Sequence, residues 1–243
     1  MYSDKIQQVR VGALETGVAN RIMDLLDKLR LNCDENSAKR WIWELIQNAK
    51  DVVNTTGEVN INIHFDVDKS IIRFEHDGKI FSTESLIYLI EQVSTKDRDK
   101  ESKTTGKFGT GFLTTHLLSE IVTVSGILKD DDSSVYRKFN IELDRSGENK
   151  DEIIAAIQKS FKALNASREL STNMVINEKD FNTSFAYQLN EAGMKVAKEG
   201  LADLYISIPY VFAFVPEINS ISVDAYCWYF ERGNTHSIRK NNL

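Results

Sequence analysis

A chain of 243 residues has room for one large domain, or for a domain and part of a second. Its 42% hydrophobic and 27% charged content is that of a globular protein and too apolar for disorder. A net charge of −6 disfavours a nonspecific grip on nucleic acid, and no run approaches the roughly 18 apolar residues of a membrane span.

Apolar residues at Val18, Ile22, Leu25, Leu26 and Leu29 predict a first helix over Val18–Leu31. Ser37 suits an N-cap and opens a second helix to about Val53. Val59, Ile61, Ile63 and Phe65 alternate with polar residues, as in a half-buried strand; Ile71–Phe74 is its partner across the turn at 66–70. A helix follows over about Glu84–Val93, then a polar, aperiodic loop over 94–105. Glycines at 106, 109 and 111 open a short helix to about Leu118. Strands are expected at Ile121–Ile127, Val135–Leu143 and Ser184–Leu189, with a turn at 130–134 and a helix over Asp151–Leu164. A helix over Glu191–Tyr205, an apolar stretch Ile206–Val215 and an alternating segment Ile218–Tyr226 complete the chain. Cys33 and Cys227 have no metal spacing and read as free thiols in a reducing compartment. Met1–Lys5 lacks a signal core, so a cytoplasmic protein is expected.

Three segments carry chemistry. On the second helix, Glu44, Asn48 and Asp51 fall within an arc of roughly 60°, beside the apolar arc of Trp41, Ile42, Leu45, Ile46 and Ala49. Alone they read as the solvated edge of an amphipathic helix. A carboxylate beside an amide can also poise a water and ligate a hard cation. After the second strand, Glu75-His76-Asp77-Gly78-Lys79 is a tight turn whose glycine lets backbone approach a ligand. Gly106-Lys107-Phe108-Gly109-Thr110-Gly111-Phe112 then ends a polar loop and begins a helix, which turns amide N–H groups toward an anion. It is neither a Walker loop nor a dinucleotide fingerprint, and alone it reads equally well as a hinge.

Together, and in this order, the motifs resemble those of the GHKL (Bergerat-fold) ATPases, the superfamily of the heat-shock chaperone and sacsin ATPases. The matching residues are Glu44-Leu45-Ile46-Gln47-Asn48-Ala49-Lys50-Asp51, His76-Asp77-Gly78 and Gly106–Phe112. Thr183-Ser184-Phe185-Ala186-Tyr187 resembles the late strand whose threonine closes the adenine pocket. Ile208-Pro209-Tyr210-Val211 and Val215-Pro216-Glu217-Ile218 look like the region after the ATP domain in sacsin-like bacterial proteins. The resemblance implies a two-layer α/β sandwich, with a mixed, mostly antiparallel sheet and helices on one face. It implies an ATP-binding domain over residues 1–190, and an extension or the start of a further domain over 191–243, in what is expected to be an N-terminal fragment of a longer protein. The alternation in Val59–Phe65 and Ile71–Phe74 agrees with such a sheet.

The resemblance also implies roles. Glu44 would be the general base for ATP hydrolysis, and Asn48 would hold magnesium. Asp51 would line the ribose and adenine side. Lys96 would lie near the phosphates, with 94–105 as a lid. Gly106, Lys107, Phe108, Gly109, Thr110, Gly111 and Phe112 would cap the phosphates, and Thr183 would bond near adenine, in a pocket between helix 37–53 and the turn at Gly78. The family's turn is usually Asp-x-Gly-x-Gly, its Asp reading the adenine amino group. Aligned on Gly78, that position holds His76, which when neutral can accept one hydrogen bond. With an ordinary pKa near 6.5, His76 would make binding weaken as pH falls through that region. If the turn slips by one residue, Asp77 reads the base instead. ATP or ADP, a second copy on ATP binding and downstream domains are the expected partners; membrane and nucleic acid are not. A switch without turnover and a kinase of the same fold are the alternatives. The helix Val18–Leu31 has no phospho-acceptor histidine, which argues against a histidine kinase.

Overall fold

The computed structural model describes residues 2–31, 35–92, 111–130, 132–170, 177, 180–232 and 238–242. The chain forms an α/β fold around one nine-stranded sheet, ordered β5-β4-β3-β6-β2-β1-β7-β8-β9. The strands are β1 (Val59–Asp66), β2 (Ile71–His76), β3 (Ile121–Leu128), β4 (Arg137–Asp144), β5 (Arg168–Glu169), β6 (Thr183–Gln188), β7 (Ile218–Val223), β8 (Trp228–Arg232) and β9 (Ile238–Asn242). The β1–β7 pair is parallel and the other strand pairs are antiparallel, so the sheet is mixed and mostly antiparallel.

Alternation decides which face the helices cover. Ile61 pairs with His76, Ile63 with Phe74 and Phe65 with Ile72; Phe74 then pairs with Phe185, and Phe185 with Val124. All of these side chains are buried. Their neighbours on the other face, such as Asn62, His64, Arg73, Glu75 and Ser184, are half-buried or exposed. A period of two thus puts the fully buried apolar side chains of β1, β2 and β6 on one face, with the half-buried Ile71 and Ala186 on the other, and the helices lie against the buried face. The polar face is laced by side chains: Asn60 Oδ1 accepts from Asn219 Nδ2 and Ser220 Oγ, and Ser222 Oγ donates to Asn62 Oδ1.

The helices are α1 (Tyr2–Leu31), α2 (Glu35–Lys50), α3 (Thr83–Glu91), α4 (Lys150–Asn165) and α5 (Glu191–Phe214). Three caps follow local chemistry. The Ser82 hydroxyl accepts from Ser85 N, Asn149 from Glu152 N and Asn190 from Gly193 N. Several bounds differ from the sequence expectation. The first helix starts at Tyr2, and only its half from Val18 onward is buried, which is where the apolar spacing lay. Ser37 lies inside α2, which starts at Glu35 and stops at Lys50. Gly111 precedes a six-residue 3₁₀ helix, Phe112–Leu117, where a short helix was expected. Its length gives it no α-helical N-terminus to hold an anion.

The largest difference is α5. The apolar stretch after Tyr205 continues the helix to Phe214, with Pro209 inside. An interior proline costs about 3 kcal/mol. Ile208, Val211 and Phe212 are buried around it, at roughly 1.5–3 kcal/mol each, so packing wins. β7 then returns alongside β1, and α5 lies against α2. Residues 191–232 therefore complete the same sheet and core. No described helix is long and apolar enough to cross a membrane.

The α2–α5 contact is a close one. Trp41 is fully buried and its Nε1–H donates to the Val196 carbonyl at 3.1 Å. A Cβ on Gly200 would run into the Trp41 indole, whereas a Cβ on the exposed Gly12 of α1 would touch nothing. Gly12→Ala should therefore stabilise the chain by about 0.5–1 kcal/mol, as alanine does in an open helix. Gly200→Ala should destabilise it by about 1–3 kcal/mol, because overpacking outweighs propensity. Urea unfolding of the two variants checks both, and shifts of the same sign would contradict the packing argument.

Candidate functional site

One ridge of α2 faces the covered side of the sheet. Glu44, Asn48 and Val52 recur every four residues, so they stack along it, about 12 Å from first to last. At the far end the turn after β2 presses on the helix end: Lys79 N–H donates to the Val52 carbonyl at 2.6 Å, and a Cβ on Gly78 would collide with that oxygen. Only glycine fits there. At the near end a Cβ on Gly111 would collide with the Glu44 carboxylate, so the start of the 3₁₀ helix lies directly against Glu44. The Glu44 side chain is 19% exposed, with the Arg40 guanidinium 3.8 Å away.

The floor beneath the ridge is aromatic and hydroxylic. Phe112 lies 5.6 Å from Phe185, centroid to centroid, and Phe185 stacks at 6.4 Å on His76. Thr183 pairs with His76 across β6 and β2 and is fully buried. Among the described residues its Oγ1 has no hydrogen-bond partner, nor has the Nδ2 of the buried Asn48. Sealed polar atoms without partners are uncommon and call for an explanation.

The two candidate base readers are sharply different. The Asp77 carboxylate is spent on β1: Oδ1 accepts from Asn60 N and Oδ2 from Asn60 Nδ2, both at 2.6 Å. Asp77 therefore ties the turn to the start of β1 and does not face the ridge. His76 sits on the covered face, as its register with Ile61 and Thr183 requires. Its Nδ1 accepts from the Gly78 N–H at 3.2 Å. A backbone amide can only donate, so Nδ1 carries no proton and Nε2 carries one. With Nδ1 occupied by the Gly78 N–H, the ring nitrogen left for a ligand is a donor, whereas reading an adenine amino group needs an acceptor. Burial pushes the His76 pKa down to about 3 from the ordinary 6.5.

Asp51 follows the last residue of α2, its N–H donating to the Gln47 carbonyl at 3.1 Å, and its side chain is half-buried. Lys96 and the other residues of the expected lid, 94–105, lie outside the described residues, as do Gly106, Lys107, Phe108, Gly109 and Thr110. Of the third motif the structure describes Gly111 and Phe112 alone. Two cavities bounded by described residues lie elsewhere, one along Lys5, Ile6, Val9 and Arg10 and one between Thr123, Asn140, Glu142 and Lys159. Neither is the expected pocket between α2 and the Gly78 turn. Among the described residues no group of three or more His, Cys, Asp or Glu side chains could hold a metal.

Two other buried polar groups were not among the expected site residues. Arg145 is fully buried without a carboxylate at hydrogen-bond distance; its guanidinium donates to the Ile90 carbonyl at the end of α3 and to the Asp144 carbonyl. A cation at a helix C-terminus is favourably placed, and the burial that lowers its pKa to about 10 leaves it charged at neutral pH. His116 is a buried residue of the 3₁₀ helix, with its Nδ1 at 3.2 Å from the Glu120 carbonyl. A polar residue on an inward register was the only signal available for either.

Comparison with known protein families finds none that matches the chain, and comparison with curated proteins finds no match either.

Burial makes the two histidines a pH-dependent load on stability. Desolvation pushes His76 and His116 down to about 3 from an ordinary 6.5. Between these limits the unfolded chain binds more protons, so stability is complete above about pH 6.5 and declines as pH falls toward 3. Each histidine contributes a slope of up to about 1.4 kcal/mol per pH unit. The H76Q/H116Q double variant should lose stability less steeply between pH 7 and 5 than the parent, measured by urea unfolding. Equal slopes would show that the histidines are not buried neutral.

Proposed function

We propose that this domain binds a purine nucleoside triphosphate with magnesium, ATP being the one that the GHKL resemblance implies, and hydrolyses it. The observation that carries the reading is the α2 ridge: a carboxylate against Gly111 at one end and the Gly78–Val52 approach at the other, over an aromatic floor. The Glu44 end suits the phosphates and the Gly78 end the base. Buried, unpartnered polar atoms on Asn48 and Thr183 fit groups held for a ligand.

In this reading Glu44 accepts a proton from water as the water oxygen attacks the γ-phosphorus. The bond to the β-phosphate bridging oxygen breaks, and the diphosphate and inorganic phosphate leave. Asn48 fits a magnesium role: its side-chain carbonyl offers the oxygen that a hard cation takes, beside those the phosphates would supply. When bound, magnesium would neutralise charge on the phosphate oxygens. Closure of the segment 94–105 over the nucleotide would report to attached domains or to a second copy. Ile206, Tyr210 and Phe214, exposed along one side of α5, are apolar surface that such a contact would cover.

Glu44→Ala should cut phosphate release by about a hundred- to ten-thousand-fold and leave nucleotide binding largely intact, because a general base acts on water. Asn48→Ala should weaken binding in the presence of magnesium and not in its absence. Gly111→Ala should lower turnover in a folded protein by displacing the Glu44 carboxylate. Steady-state phosphate release and calorimetric titration check all three. Parent-like turnover by Glu44→Ala would remove the base assignment, and transfer of phosphate to protein in place of release would make the domain a kinase.

A further inference from the structure

We propose that His76 makes this site select a purine with a carbonyl at ring position 6, as in inosine or guanosine nucleotides, over one with an amino group there. The inference rests on reading the α2 ridge as a nucleotide site whose base end is at Gly78, and it deepens that reading by assigning the base.

Hydrogen-bond polarity at this end carries the argument. The Gly78 N–H occupies His76 Nδ1, which leaves Nε2–H as the ring's one remaining polar group, and it is a donor. No described residue accepts from it. Burial holds the ring neutral, and stacking on Phe185 fixes its plane. The turn is pinned on both sides, by Val52 through Gly78 and Lys79 and by Asn60 through Asp77, and this holds the Gly78 N–H against Nδ1. The carboxylate that could have offered an acceptor at this turn, Asp77, has both oxygens on Asn60.

Adenine presents an amino donor at position 6 and an acceptor at N1. Hypoxanthine presents the reverse, a carbonyl acceptor at position 6 and a donor at N1. Against Nε2–H, an amino group places two donors face to face, and one remains unsatisfied in a buried site. A 6-carbonyl accepts instead. The Thr183 hydroxyl, across the strand pair from His76 and without a partner, can accept from the neighbouring N1–H. The buried pair His76–Thr183 is thus complementary to the keto purine edge.

The test is calorimetric titration of the full chain with magnesium and either ADP or IDP, which differ only at this edge of the base and are not turned over. IDP should bind the parent at least about tenfold more tightly than ADP, the discrimination expected from one buried hydrogen bond made or left unmade. H76D replaces the donor by an acceptor and should reverse the preference. Equal binding by the parent, or tighter binding of ADP, overturns the proposal without any variant. A preference for IDP that persists unchanged in H76D overturns the role given to His76. Binding of neither nucleotide removes the nucleotide reading and this inference with it, whereas binding of both with ADP favoured removes the inference alone.

Discussion

Two close approaches of backbone to α2 set the geometry on which the candidate site depends. Gly78 touches the Val52 carbonyl at one end of the helix, and Gly111 touches the Glu44 carboxylate at the other. A side chain at either position would push its element away from α2. With hydrogen there instead, the turn after β2 and the start of the 3₁₀ helix are both drawn under one helical ridge. Asn48, between them, is buried because both ends are held down.

The sheet makes this arrangement affordable by keeping its polarity on one side. The open face of β1 and β7 is satisfied by its own side chains, with Asn60 and Asn62 accepting from the serines of the neighbouring strand. The covered face is free to be apolar, and the few polar groups buried on it or against it stand out: His76 and Thr183 on the strands, and Thr115 and His116 of the 3₁₀ helix. Burying such groups costs stability unless something satisfies them. His76 is half satisfied, by the Gly78 N–H, and that one bond decides what its other nitrogen can offer. A turn bond made for folding thereby sets the chemistry available to a ligand.

The same accounting explains Arg145. Removing a guanidinium from water is expensive unless its donors are used. The carbonyls of Ile90 and Asp144 take two of them, and the α3 C-terminus supplies partial negative charge. Arg21 donates to the next carbonyl, Glu91, at 2.8 Å, so two arginines clasp the end of the helix that precedes the expected lid.

The local patterns were legible wherever period or cap chemistry is strong. Alternation in Val59–Phe65 and Ile71–Phe74, the turn between them, the helix over Asp151–Leu164 and the polar arc of Glu44 and Asn48 are all properties of neighbouring residues; the mixed, mostly antiparallel sheet was implied by the resemblance, and the alternation only agreed with it. What needed the tertiary structure was anything set by contacts between distant residues. Pro209 looks like a helix breaker until the burial of Ile208, Val211 and Phe212 is counted. Ile218–Val223 alternates in the sequence, but nothing local says that it pairs in parallel with β1, some 160 positions away. Arg145 continues the inward parity of Phe139, Ile141 and Leu143, but nothing local says that an arginine there is sealed inside. His76 and Asp77 are adjacent and both polar, so the sequence could not choose between them. Register did: it turns one inward beside Thr183 and gives the other to Asn60, and the Gly78 N–H then fixes which ring nitrogen keeps its proton.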